Sequence, residues 1–338
     1  MTNILIIYTG GTIGMVNDPR TGALVPFDFK QIQQNVPELG RLNYHLDVHS
    51  FDPIIDSSNM TPIVWAELAQ LIEKKYSEYD GFVILHGSDT MAFTASALSF
   101  MLENLSKPVV LTGSQLPIGE IRTDAKENLI TALEIAATKN NGNAMVPEVC
   151  IYFDYQLFRG NRSIKYNSEK FEAFISPNYF LLAEAGVSLS FYNNYILPYP
   201  ADPLKVHLNL NANIGVLKLY PGISLQAVQA VTLSAVDAIV MESFGAGNTT
   251  TASWFTDCLQ VALDSGKIIV DITQCQQGSV ELGMYETSKK LQQIGIVSGY
   301  DMTFEAAITK LMYLMGQGSE KTEVTKLMEQ SLRGELTN

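Results

Sequence analysis

The stretch ILIIYTGGTIGM, Ile4 to Met15, decides how the rest of the chain is read. Ile4 to Tyr8 carry no polar residue at alternate positions, the mark of a strand buried on both faces. The run stops at Gly10-Gly11, and a threonine follows at position 12. Glycines at a strand end allow the backbone to turn sharply and to pass close to other groups. The spacing is not G-x-G-x-x-G, and no G-K-[ST] phosphate loop follows a strand-like run, so nucleotide binding is disfavoured.

Similar runs recur at LDVHSF (46–51), GFVILH (81–86), PVVLTG (108–113) and VCIYF (149–153), with helical patterns between them. Thr61-Pro62 and Asp124 are expected to open two of those helices, as N-cap with Pro at the first position and as N-cap respectively. Fully apolar strands alternating with helices imply an α/β fold with a mostly parallel sheet. A polar, Asn- and Pro-bearing stretch, 190–213, then interrupts the pattern. Beyond it IGVLKLY (214–220), DAIVMESF (237–244) and KIIVDIT (267–273) begin a second, smaller α/β series. The expected organisation is therefore a catalytic unit over 1–189, a connection over 190–213 and a second unit over 214–338.

With 338 residues, 46% hydrophobic and 17% charged, the chain has room for two ordinary globular domains. Its net charge of −13 makes nucleic acid and anionic membranes poor partners and favours a small-molecule ligand. Cys150, Cys258 and Cys275 are too scattered for a disulfide framework or a zinc site and are expected to pack in the core. His45 and His49 sit four apart, but in a strand-like run where that spacing shares no helical face. Neither a metal nor a cofactor is expected. No basic segment precedes a cleavable apolar one, which gives a cytoplasmic expectation.

Open α/β sheets bind ligands beyond the carboxyl ends of their strands. The residues there are Thr12 after the first run, Asp56, Ser57 and Ser58 after the second, and Ser88, Asp89 and Thr90 after the third. TGSQLP follows the fourth run, and RGNRSIK, ending at Lys165, follows the fifth. Taken singly, Thr12 reads as a turn residue, Asp56 and Asp89 as helix N-caps, and Lys165 as a solvated lysine. Together they are the parts of a nucleophilic acyl transfer. A hydroxyl attacks, a lysine or second hydroxyl takes its proton, and turn N–H groups hold the oxyanion.

The segments YTGGTIGM (Tyr8 to Met15) and DGFVILHGSDTMAFTASALSFML (Asp80 to Leu102) resemble the two signatures of bacterial-type L-asparaginases. The similarity runs on through IDSSNMTP, VVLTGSQLP, RGNRSIK, YPGIS, FGAGN, DITQCQQG and SLRGEL, nearest the cytoplasmic type I branch. It implies a two-domain asparaginase-like fold, with a larger Rossmann-like N-terminal domain and a smaller C-terminal α/β domain. It also implies hydrolysis of L-asparagine to L-aspartate and ammonia through an acyl-enzyme on Thr12. Ser88 and Lys165 would activate the nucleophile or water. Asp89 would hold the substrate ammonium, and Asp56, Ser57 and Ser58 would grip the amino-acid end. A homodimer or homotetramer is part of the same implication. Two other readings stay open: an asparaginase-like ammonia-producing subunit of a tRNA-dependent amidotransferase, and a silent amino-acid sensor.

This sequence departs from the family pattern in three places. HGSDT replaces the usual HGTDT, keeping a hydroxyl at Ser88 but losing the methyl that restrains χ1. The loop VNDPRTGALVP (16–26) lacks the catalytic tyrosine many relatives place there, leaving Tyr285 as the candidate. Glu242 stands where allosteric relatives carry a carboxylate-binding arginine, and Ile164 where one carries a hydroxyl. A carboxylate at Glu242 repels another. Initial rates against asparagine are therefore expected to be hyperbolic; a sigmoidal curve that became hyperbolic on changing Glu242 would contradict this.

Overall fold

The computed structural model describes residues 1–17, 24–26, 36–284 and 286–337, and its backbone contacts divide the chain into units Met1–Leu208 and Asn209–Asn338. In the first unit the five expected runs become β1 (Thr2–Tyr8), β2 (Tyr44–Ser50), β3 (Gly81–Leu85), β4 (Val109–Thr112) and β5 (Val149–Phe153). Three further strands, β6 (Gln156–Arg159), β7 (Ala183–Ala185) and β8 (Leu189–Phe191), extend the sheet by hairpins. The eight-stranded order is β8-β7-β6-β5-β4-β3-β1-β2. Pairing is parallel from β2 to β5 and antiparallel from β5 to β8.

The pattern of burial explains the parallel half. Every residue of β3, β4 and β5 is buried, as only strands covered on both faces can be. Helix α3 (Ala125–Ala137) closes the face that carries Ile4, Ile6, Tyr8, Val83 and Leu85. Helix α2 (Met91–Met101) is buried almost all round and lies against β4 and β5. Trp65 of α1 (Pro62–Lys75) donates to Thr94 of α2 at 3.0 Å, tying those two helices together.

Register decides where the site can form. Tyr8 pairs with Ser50 and Leu85, and Leu85 with Thr112, so these strands end level with one another. The loops that follow therefore emerge side by side at one edge.

Two helix starts differ from expectation. Thr61 and Asp124 occupy the N-cap positions of α1 and α3, but neither side chain caps its helix. The Asp124 carboxylate is instead drawn to the loop after β4. Cys150 and Cys258 are buried as expected, whereas Cys275 is exposed because it lies in the turn beyond a strand rather than in it. No described helix is long and apolar enough to cross a membrane.

The second unit has a four-stranded parallel sheet in sequential order, β9 (Ile214–Lys218), β10 (Ala238–Ser243), β11 (Ile268–Thr273) and β12 (Val297–Ser298). Helices α4 (Leu225–Thr232), α5 (Ser253–Asp264) and α6 (Glu286–Ile294) connect the strands. α7 (Phe304–Gly316) and α8 (Lys321–Met328) follow them. Leu217, Ile239, Met241, Phe255, Leu259 and Ile269 form its core. A fully buried ion pair, Lys310 to Glu335 at 2.5 Å, fastens the closing segment SLRGEL to α7. Lys310 also donates to the carbonyl of Met328 at 3.0 Å, and Glu335 accepts from the N–H groups of Leu332 and Arg333. A pair so enclosed needs these extra bonds to offset its desolvation.

Asp271 in β11 is a different case. It is fully buried, both carboxyl oxygens lack a hydrogen-bond partner, and the Ser243 hydroxyl lies beside it without closing a bond of normal geometry. Burial pushes its acid up to about 7. The folded state thus holds a proton that the unfolded chain releases, so the stability this group allows is full below the ordinary aspartate range. It is lost as pH rises through about 7. Asp271→Asn, which mimics the neutral acid, is expected to gain about 3 kcal/mol on the parent protein between about pH 5 and about pH 8 in urea unfolding. A difference between the two proteins that does not vary with pH would contradict the assignment.

Candidate active site

The loops after β1, β2 and β3 meet because two glycines remove the side chains that would hold them apart. Gly11 has φ +92°, and a Cβ there would sit 2.5 Å from the backbone nitrogen of Gly87. A Cβ on Gly87 would sit 2.5 Å from the hydroxyl oxygen of Ser57. Both distances are far inside van der Waals contact, so no larger residue fits without displacing backbone.

Hydrogen bonds close the same three loops. Thr9 donates through both its N–H and its hydroxyl to the carbonyl of Leu85, each at 3.0 Å. Ile55 N–H donates to Thr9 O at 2.8 Å, and the Thr90 hydroxyl donates to Ser57 O at 2.7 Å. The Tyr8 hydroxyl donates to Gly14 O at 3.1 Å, closing the short 3-10 turn Thr12–Gly14 that begins with the half-buried Thr12.

His86 fixes the start of HGSDT from below. It is fully buried, with Nδ1 2.6 Å from Gly87 O and Nε2 2.9 Å from the Thr94 hydroxyl. A carbonyl only accepts, so Nδ1 carries the proton, and Nε2 accepts from Thr94, which itself accepts from Trp65. Burial pushes this imidazole down to about 4, which keeps it neutral and suits it to a structural part.

Lys165 is brought in by the segment that follows β6. Its basic neighbours in RGNRSIK are buried anchors rather than ligand-binding groups. Arg159 pairs with Glu148 at 2.7 Å and lies 4.4 Å from the Tyr179 ring centroid, and Arg162 stacks over the same ring at 5.0 Å. Gly160 lets this segment lie against Ala95 of α2, where a Cβ would approach to 2.9 Å. Lys165 then enters a short strand, Ile164–Lys165, paired antiparallel with Phe174–Ile175. Its ammonium donates to the Ser88 hydroxyl at 2.8 Å and to Asp89 Oδ1 at 2.5 Å.

Ser88, Asp89 and Lys165, picked out separately by sequence, are thus in direct contact, and Ser57 is locked to their loop. Asp89 keeps an exposed carboxylate, 66% open, and caps no helix. Asp56 does act as a cap. Its Oδ1 accepts from Ser58 N–H at 2.9 Å and from the Ser58 hydroxyl at 2.7 Å, and these bonds hold its carboxyl below the usual aspartate range. Tyr285 lies outside the described residues. Among the described residues no cluster of His, Cys, Asp and Glu could hold a metal.

Sequence reasoning missed Asn128 and read Asp124 only as a cap. Asp124 accepts from the N–H groups of Gln115 and Leu116 at 2.9 and 3.1 Å. Asn128, one turn on, donates to Gly113 O at 3.0 Å and accepts from Asp154 N–H at 3.1 Å. Gln115 reaches across to Lys170 O at 2.8 Å, in the hairpin that carries Lys165. The i, i+4 spacing of Asp124 and Asn128 on α3 was the available signal, since it puts both on one helical face.

Comparison with known proteins identifies the family. Residues 3–197 match the family description "Asparaginase, N-terminal", and residues 213–328 match "Glutaminase/Asparaginase C-terminal domain". The chain is 43% identical to "L-asparaginase 1" of Escherichia coli (strain K12), covering 99% of this chain and 98% of that protein. It is 42% identical to the "60 kDa lysophospholipase" of Mus musculus over 99% of this chain, but spans only 62% of the mouse protein. The crystal structure of L-asparaginase I from Vibrio cholerae superposes with a TM-score of 0.91 at 42% identity, covering 100% of this chain and 99% of that one.

Proposed function

This chain belongs to the asparaginase family, and from that premise we propose that it hydrolyses L-asparagine to L-aspartate and ammonia with Thr12 as nucleophile. The observation that carries the reading is the contact of Lys165 Nζ with both Ser88 Oγ and Asp89 Oδ1, on loops locked beside Thr12. End-to-end likeness to an L-asparaginase disfavours the amidotransferase-subunit and silent-sensor readings.

In this mechanism the substrate's α-ammonium settles against the open carboxylate of Asp89, and the loop 56–58 faces its amino-acid end. Thr12 Oγ attacks the side-chain amide carbon. Its proton passes to Ser88 Oγ as the Ser88 hydroxyl proton passes to the departing nitrogen, which leaves as ammonia, while the Lys165 ammonium steadies the Ser88 oxygen. The oxyanion formed in between is held by backbone N–H groups of the glycine-bearing turns. Water then attacks the Thr12 ester, its proton passing by way of Ser88 to Thr12 Oγ as that oxygen leaves, and L-aspartate is released. Where a second hydroxyl-bearing group is required, Tyr285 is the residue we assign to it. We extend the reading to a cytoplasmic homodimer or homotetramer, which sedimentation equilibrium of the purified chain would verify or refute.

Purified protein is expected to release ammonia from L-asparagine. Thr12→Ala is expected to lose at least ~10³-fold in turnover while still binding L-aspartate. Near-parental turnover in that variant would remove Thr12 from its role. A folded parent that releases no ammonia from L-asparagine, L-glutamine or D-asparagine would sink the whole reading.

A further inference from the structure

We propose that Tyr8 is a positioning residue for the nucleophile: its ring and hydroxyl fix the angle at which the Thr12–Gly14 turn presents the Thr12 side chain. The proposal rests on the assignment of Thr12 above and concerns what holds that hydroxyl in its attacking direction.

The Thr12 hydroxyl makes no hydrogen bond among the described residues, so its direction is set by the backbone that carries it. That backbone enters through Gly10 at φ +145° and Gly11 at φ +92°, residues with wide torsional freedom. Gly11 lets the turn lie against Gly87, but a residue that permits a close approach does not choose among the orientations open to it. Ile13 is buried in the core below and limits how far the turn can lift, yet an aliphatic contact has no directional preference.

Tyr8 supplies the direction. It is the last residue of β1 and is fully buried, so the sheet places its ring and the loop does not. Its hydroxyl donates to Gly14 O at 3.1 Å. The ring also lies so close to Gly14 that a Cβ there would sit 2.2 Å from both Cζ and the hydroxyl oxygen. Gly14 is outside the left-handed region, so the Tyr8 ring, rather than backbone strain, keeps a side chain from this position.

Gly14 is therefore held at its carbonyl by a directional bond and at its α-carbon by contact. Its N–H donates to Gly11 O at 3.2 Å, and the Met15 N–H donates to Thr12 O, so the three-residue turn moves as one piece. What fixes Gly14 fixes Thr12. Burial pushes the Tyr8 hydroxyl up to about 12, which keeps it protonated and able to donate at neutral pH. Asp89 and the loop 56–58, which would hold the substrate, stand on other loops. Disturbing Tyr8 should thus separate turnover from binding.

The test takes kcat for L-asparagine, the Kd of L-aspartate by calorimetry and the melting temperature of full-length Tyr8→Phe and Gly14→Ala. Tyr8→Phe removes the hydroxyl alone; Gly14→Ala keeps it and drives a methyl group into the ring. Tyr76→Phe is the control, because that tyrosine bonds Ser106 at 2.8 Å at the end of α1, ahead of β3 and not after it. Both test variants are expected to lose at least ~10-fold in kcat while the Kd of L-aspartate stays within ~2-fold of the parent. Tyr76→Phe is expected to keep parental kcat. Parental kcat in either folded test variant, an equal loss in Tyr76→Phe, or L-aspartate binding weakened as much as turnover would each overturn the proposal. If Tyr8→Phe does not fold, Gly14→Ala decides by the same criteria, and failure of both to fold assigns the contact to stability alone and overturns the positioning role. Near-parental turnover in Thr12→Ala would instead remove the nucleophile assignment itself, an outcome separate from parental kcat in the Tyr8 and Gly14 variants.

Discussion

The site rests on one steric constraint: Gly11 touches Gly87, and Gly87 touches Ser57, at distances that exclude any Cβ. The close approach of the Thr12, Ser57 and HGSDT turns depends on those two contacts. β1, β2 and β3 can be level and in register without their loops converging, because loops carrying side chains would be kept several ångströms apart. With the glycines in place, a threonine turn, a serine loop and the HGSDT turn share one small volume, and hydrogen bonds such as Thr90 to Ser57 hold them there. The groups proposed to react are thereby positioned by backbone, the least mobile part of the molecule, as pre-organised catalysis requires.

Around this contact the protein distributes rigid, charge-neutral supports. His86 is kept uncharged between a carbonyl and Thr94, so it fixes the HGSDT turn without bringing a second cation to the rim. The two buried arginines of RGNRSIK spend their charge on Glu148 and the Tyr179 ring, which leaves Lys165 as the group of that segment that reaches Ser88 and Asp89. Asp124 and Asn128 hold the loop after β4, and Gln115 connects it to the Lys165 hairpin.

Much of this was legible in the sequence. Runs apolar on both faces located four of the five parallel strands of the first unit to within a few residues, because burial on both sides leaves no polar alternation; β2, at the sheet edge, is largely exposed and mixes polar with apolar residues. The rim residues could be collected from strand ends alone, since parallel strands in register deliver them to one edge. What stayed hidden depended on partners distant in the chain. The strands β6, β7 and β8 are short and antiparallel, and β7 and β8 are partly exposed, so neither their pattern nor their length announces them. Asp124 looks like a helix cap by position, and only the fold shows that the loop after β4 competes successfully for its carboxylate. Nothing in the sequence marks the part His86 plays, which only its burial and its two neutral partners reveal.

The central claim is that glycine at position 11 serves catalysis by letting the Thr12 turn lie against Gly87. The most direct measurement is kcat/KM for L-asparagine in Gly11→Ala, taken with a melting temperature to establish that the variant is folded. A methyl group there must push the Thr12 turn away from Gly87, and a displacement on the order of 1 Å among reacting groups costs ~10²-fold in rate. A folded variant reduced by about that factor is the predicted result. A folded variant with parental kcat/KM would contradict the account.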